Sequence, residues 1–215
     1  MARKTGANVR HSSENPRWGS PEVIVEIGRK VLGRYTVDPF TELRFNQIVK
    51  AERILTGSPG LDGFHEPWIL GAPRADHVLA RFPSVVPAPN IQMNTALVNP
   101  PGDDSGENVK RAWELLDTYH HLGWLGGGAL WVGFNLNQLQ TVQGVSARTP
   151  LSADFLGCRC IPGRRHAFTP AEITDERAQP SHPCWFVLLP SRDDDVAKRQ
   201  IAEFTRLSRA LGDVF

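Results

Sequence analysis

The run Thr95-Ala96-Leu97-Val98 stops abruptly at Asn99-Pro100-Pro101-Gly102. Two prolines in series remove two backbone N–H groups and fix both φ angles, so no sheet ladder continues past this point. The run ends in a rigid turn that presents carbonyl acceptors and the Asn99 amide. A short apolar segment ending this way reads as a buried strand with chemistry at its carboxyl end, where open α/β sheets bind ligands. A second run, Tyr35-Thr36-Val37, leads in the same manner into Asp38-Pro39-Phe40.

The rest of the chain fits an alternation of strands and helices. Ser20, Pro21 and Glu22 are suited to a helix start, with Ser20 as the cap and Pro21 in the first turn. Val23, Ile24, Ile27 and Val31 then recur at helical spacing up to Gly33. A second helix is expected over 46–54 and a third over 107–122. Ala129 to Phe134 and Trp185 to Leu189 read as further buried strands. Asp193-Asp194-Asp195 opens a last amphipathic helix that runs to Leu211, its acids matching the helix dipole. Such alternation predicts an α/β fold: one domain, a mostly parallel sheet flanked by helices. Residues 1–16 read as a flexible basic and polar arm and 17–215 as the domain. Gly- and Pro-rich residues at about 57–94 read as a long loop or insertion, and 135–183 as loop-rich.

Charge narrows the partners. With 24 Lys and Arg against 23 Asp and Glu in 215 residues, the net charge is +1. There is no global basic field, so a nucleic acid would have to be held by a local patch. The densest basic cluster is Arg159, Arg164, Arg165 and His166. No run approaches the length of a membrane span, and the polar N-terminal stretch lacks a secretory core, so no membrane partner and a cytoplasmic location are expected. Cys158, Cys160 and Cys184 read as reduced thiols. No metal site is expected: His120-His121 reads as a surface pair at a helix end, and the three aspartates as a helix start.

The Asn-Pro-Pro turn suits one reaction in particular. An exocyclic amine on a base is a poor nucleophile, because its lone pair is delocalised into the ring. Acceptors on its two hydrogens, the Asn99 side-chain oxygen and the Pro100 carbonyl, would localise that pair for attack on a methyl sulfonium. Positioning and oriented dipoles supply the effect without a charged base. Read alone, the tetrapeptide is equally an ordinary proline-rich loop, and Asp38 equally a turn residue.

Motifs in order along the chain add to this reading. They are Trp18-Gly19-Ser20-Pro21, Asp38-Pro39-Phe40, Asn46, Val49 to Thr56, Leu61-Asp62-Gly63 and Asn99-Pro100-Pro101-Gly102. Phe134, Leu139 to Gln143, Ile161 to Phe168 and Pro180-Ser181-His182 complete the series. Over roughly residues 17–190 the chain resembles the phage-encoded, Dam-like adenine-specific DNA methyltransferases. The resemblance implies a Rossmann-like, S-adenosylmethionine-dependent methyltransferase fold. It implies S-adenosylmethionine as cofactor, DNA as partner, and action in the cytoplasm of a bacterial host. It assigns Asn99, Pro100, Pro101 and Gly102 to catalysis and Ser20, Pro21, Asp38, Pro39 and Phe40 to the cofactor. Arg159, Arg164, Arg165 and His166 would contact DNA.

Two departures stand out. Gly102 occupies the position where most amino-methyltransferases carry an aromatic ring to stack on the flipped base. Trp68 and Phe134 are candidates to supply that ring. Thr41-Glu42-Leu43-Arg44 also replaces the usual glycine-rich cofactor loop. The alternatives are a catalytically degenerate DNA-binding relative and a virion or assembly protein that reuses the fold.

Overall fold

Short apolar strands need both faces covered, and the chain covers them with helices on each side. The computed structural model describes residues 18–58, 60–81, 85–101, 105–133, 136–146, 159–163, 169–170 and 184–215. In chain order the elements are β1 (Trp18–Gly19), α1 (Glu22–Leu32), β2 (Val37–Asp38), α2 (Asn46–Val49), β3 (Arg53–Ile54), α3 (Ala75–Leu79) and β4 (Thr95–Val98). They continue with α4 (Glu107–His121), β5 (Gly128–Gly133), α5 (Leu136–Ser146), β6 (Arg159–Pro162), β7 (Thr169–Pro170), β8 (Trp185–Leu189), α6 (Asp194–Ser208) and β9 (Gly212–Val214). The arm at residues 1–16 lies outside the described residues.

Seven strands form one sheet in the order β3-β2-β4-β5-β8-β6-β9, while β1 pairs separately with β7. The fold is therefore α/β, as expected. The sheet, however, is mixed rather than mostly parallel. β3, β2, β4 and β5 run parallel, whereas β5–β8, β8–β6 and β6–β9 pair antiparallel. Alternating helices and strands dictate the parallel half. The other half reverses because β8 returns against β5, from Ala129 opposite Leu189 to Gly133 opposite Trp185.

Side-chain alternation divides the core into two layers. Ala96, Val98, Ala129, Trp131, Trp185, Val187 and Leu189 face α3, α4 and α5. Leu97, Leu130, Val132, Phe186 and Leu188 face α1 and α6, where they meet Ile24, Ile27, Val31 and Phe204. The 57–94 stretch is less of an excursion than its composition implies. It contains α3 and sends Phe64, Trp68, Ile69, Ala75 and Val78 into the first layer.

Several local expectations shift. Helix α1 begins at Glu22 with Pro21 at the N-cap, one residue later than a Ser20 cap would place it. The helix expected over 46–54 is a single turn. The Asn46 side chain bonds both the N–H and the carbonyl of Ala51, and Lys50 takes a left-handed conformation that ends the turn. The loop-rich stretch holds α5 and β6, and β9 has no counterpart in the sequence pattern. His120 is not a surface residue: it is fully buried, and its Nε2 meets the Pro190 carbonyl at 2.8 Å. Burial pushes its imidazole down to about 4. Asp193 does cap α6, accepting from the Asp195 and Val196 N–H groups. Among the described residues no helix is long and apolar enough to cross a membrane.

Candidate binding cavity at the strand ends

The parallel half of the sheet changes direction at β2. From β2 the chain moves outward to β3, and from β4 it moves the other way to β5. A crevice forms where such neighbours diverge, beyond their carboxyl ends, because the following connections lead to opposite sides. The two motifs singled out in the sequence occupy these ends. Asp38 closes β2, Asn99 comes directly after β4, and the two strands are hydrogen-bonded neighbours, with Val37 opposite Ala96.

A cavity of about 220 Å³ lies there. Its walls are consecutive pieces of three connections: Pro39 to Glu42 and Phe45 after β2, Leu55 to Gly57 and Asp62 to Phe64 after β3, and Asn99 to Pro101 after β4. The volume is below the roughly 300–1,000 Å³ of sites that enclose a whole small molecule, so these walls alone have room for only part of one. Gly63 lets the second wall close on the first. A Cβ built on it would lie 2.1 Å from the Pro39 carbonyl oxygen. Asp62 shapes that wall by accepting from the Phe64 N–H at 2.8 Å and pairing with His65 Nδ1 at 2.8 Å.

The lining is aromatic on its apolar side and acidic on its polar side. Phe40 and Phe64 touch with ring centroids 4.7 Å apart, and Trp68 meets Phe40 edge-on at 5.6 Å. Thr41 and Thr56 bring hydroxyls, and Glu42 and Asp62 bring carboxylates. No Lys or Arg is among the described lining residues. Two arginines stand behind the lining: Arg44 pairs with Glu42 at 2.9 Å and lies over the Phe45 ring at 4.9 Å, and Arg111 lies over the Phe64 ring at 4.5 Å. The lining suits flat heterocycles and hydroxyls.

Of the residues singled out in the sequence, Pro39, Phe40, Asn99, Pro100 and Pro101 come together on this lining. Asn99 is 7% exposed. Asp38 sits beneath it, 2% exposed and not among the lining residues. Its carboxylate accepts from the Phe40 N–H at 3.2 Å and from the Thr41 hydroxyl, and burial pushes it up to about 7. Ser20 and Pro21 do not line the cavity either. Their neighbour Gly19 backs Phe45, with an added Cβ falling 2.6 Å from that ring.

Other candidates move away from the site. Trp68 is unsuited to stacking on a base: it is fully buried, and its indole N–H donates to the Gly63 carbonyl at 2.8 Å. Arg159 lies on β6, three strands from β4, roughly 14 Å at the usual strand spacing. Its guanidinium packs over the Phe215 ring at 5.1 Å. Gly102, Phe134, Arg164, Arg165 and His166 lie outside the described residues. Phe45 and Phe64 line the cavity without standing out in the sequence, although Phe45 comes soon after the end of β2; Glu42, Thr56, Asp62 and Gly63 fall in segments that do stand out. Among the described residues no group of three His, Cys, Asp or Glu side chains gathers as a metal site would require.

No protein-family model, curated protein or solved structure matches this chain.

Proposed function

We propose that this chain is a DNA adenine methyltransferase of phage or prophage origin. In this reading it transfers a methyl group from S-adenosylmethionine to the exocyclic amine of adenine. One observation carries the reading. Asp38-Pro39-Phe40 and Asn99-Pro100-Pro101 end adjacent parallel strands, and Pro39, Phe40 and the three residues of the second motif face one cavity. An amine-activating turn and a cofactor-holding turn have to share a cavity for the transfer to be in line.

The lining fits the cofactor in its chemistry. Phe40, Phe45 and Phe64 offer flat apolar contact for an adenine ring, and Thr41, Thr56, Asp62 and Glu42 offer partners for hydroxyls and an amine. S-adenosylmethionine, when bound, supplies a methyl group activated by its sulfonium. The Asn99 side-chain oxygen and the Pro100 carbonyl accept the two hydrogens of the target amine and hold its lone pair toward that methyl. Pro100 and Pro101 keep the turn from relaxing away from this geometry. Arg164, Arg165 and His166 remain the proposed contacts to the DNA backbone.

The test is methyl transfer to unmethylated DNA, read by mass spectrometry of the released nucleosides. The wild-type chain should yield methyladenine. Asn99→Ala should lower transfer by at least about a hundredfold, the scale of losing a preorganised polar group. A fully active Asn99→Ala protein would refute the assignment. DNA binding without any transfer by the wild type would point instead to the degenerate DNA-binding relative.

A further inference from the structure

We infer that Asp38 is a positioning residue: it builds the cavity floor by holding the Pro39-Phe40-Thr41 turn and does not touch the ligand. This departs from the role that the resemblance assigns to it. It rests on the proposed function only for the choice of probe.

The geometry is specific. The four residues after Asp38 all line the cavity, yet Asp38 does not. Asp38 is 2% exposed and lies behind the turn that lines the cavity. Its acceptor capacity is turned onto its own chain instead, toward the Phe40 N–H two residues on and the Thr41 hydroxyl. This is the local turn that Asp and Asn side chains form with the backbone. It takes the place of the glycines in a nucleotide-binding loop, where backbone freedom sets the sharp bend after the strand. Thr41-Glu42-Leu43-Arg44 has no glycine, and the Asp38 side chain makes the bend without one. Phe40 is then fixed by two constraints, its N–H on Asp38 and its ring against Phe64 and Trp68.

The turn needs an acceptor oxygen at position 38, which asparagine also supplies. A negative charge is not required, and the upward displacement of the Asp38 carboxyl by burial agrees with this.

The experiment compares the wild type with Asp38→Asn and Asp38→Ala in two measurements. One is hydrogen exchange at the Phe40 amide in the ligand-free protein. The other is calorimetric titration with S-adenosylmethionine. Asp38→Asn should keep both within about threefold of wild type, and Asp38→Ala should accelerate exchange and weaken binding by about tenfold or more, the order of one lost hydrogen bond. If Asp38→Asn loses binding as severely as Asp38→Ala while Phe40 exchange is unchanged in both, Asp38 meets the ligand through its charge and the inference is wrong. Should Asp38→Ala fail to fold, the asparagine variant decides alone: retained binding supports the inference, and lost binding with wild-type exchange overturns it. If the wild type does not bind S-adenosylmethionine, the proposed function fails. Phe40 exchange in the ligand-free variants then still decides the role of Asp38.

Discussion

Replacing Asp38 by asparagine removes a buried group whose displaced titration should shape how stability varies with pH, and His120 is a second such group among the described residues. Burial lifts the Asp38 carboxyl from 3.8 to about 7, and it lowers the His120 imidazole from 6.5 to about 4. Between about pH 4 and 7 the folded chain keeps an Asp38 proton that the unfolded chain has released. The Asp38 contribution is therefore fully present below the unfolded value and is lost as pH rises through about 7. At ~1.36 kcal/mol per pH unit it amounts to roughly 4 kcal/mol. His120 acts in the opposite sense. Between about pH 4 and 6.5 the unfolded chain holds a proton that the folded chain refuses, so stability rises with pH by roughly 3 kcal/mol and is lost as pH falls through about 4. In the wild type these two contributions oppose each other between about pH 4 and 6.5. Asp38→Asn should uncover the His120 arm, a climb of about 3 kcal/mol from pH 4 to 6.5, and should exceed the wild type by up to about 4 kcal/mol above pH 7. His120→Gln should uncover the falling arm. Urea denaturation at half-unit pH steps from about 4 to 8.5 measures all three proteins, and exposed carboxylates cancel in the differences. If the Asp38→Asn profile runs parallel to the wild type throughout, the Asp38 carboxyl is not displaced by burial and the reasoning fails.

The same geometry sets three further outcomes. Gly63→Ala would drive a methyl group into the Pro39 carbonyl, so it should cost about 1–3 kcal/mol by denaturant titration and weaken S-adenosylmethionine binding at the same time. Asp193→Ala removes the acceptor for two N–H groups at the start of α6 and should cost about 1 kcal/mol, with binding intact. Arg164→Ala with Arg165→Ala should lower the slope of log DNA affinity against log salt by up to about two units, at ~0.9 per phosphate contact; an unchanged slope would move the DNA interface elsewhere.

The elements most legible in the sequence are those whose residues leave no alternative. Thr95–Val98 and Trp185–Leu189 are buried at every position, so runs so short and apolar could only be interior strands. Asp193 announces α6 because its side chain can satisfy two N–H groups that the helix leaves open. Legibility fails where long-range pairing decides. β6 contains an arginine and a proline and β9 an exposed aspartate, so neither resembles a strand until the other is beside it. With those two strands hidden, the strand Trp185–Leu189 shows in the sequence without the partners that reveal its antiparallel direction, so the sheet reads as mostly parallel. At the site, the pairing of the two motifs could be read from their shared form, a strand followed by a proline turn. The burial of Asp38 could not, because Asp-Pro-Phe is the same triplet whether its carboxylate faces a ligand or its own backbone. Arg159 packs its guanidinium over the Phe215 ring, a contact at a short edge pair of strands that the sequence pattern does not announce.

The two flanks of the sheet bear on self-association. An unpaired strand edge is a template on which another chain can add a strand, and the hazard grows with its length. Here the outermost strands are β3, two residues long, and β9, three residues long with Asp213 projecting into solvent. Both fall short of the five or six residues of a typical strand, roughly the length a recruited segment would need to gain a secure ladder. The segments with the composition to stack indefinitely, Gly128–Gly133 and Trp185–Leu189, are paired on both sides within the sheet. Within the described seven-stranded sheet, growth by strand addition is thus confined to edges too short to nucleate it, and the aggregation-competent strands become available only after the sheet comes apart.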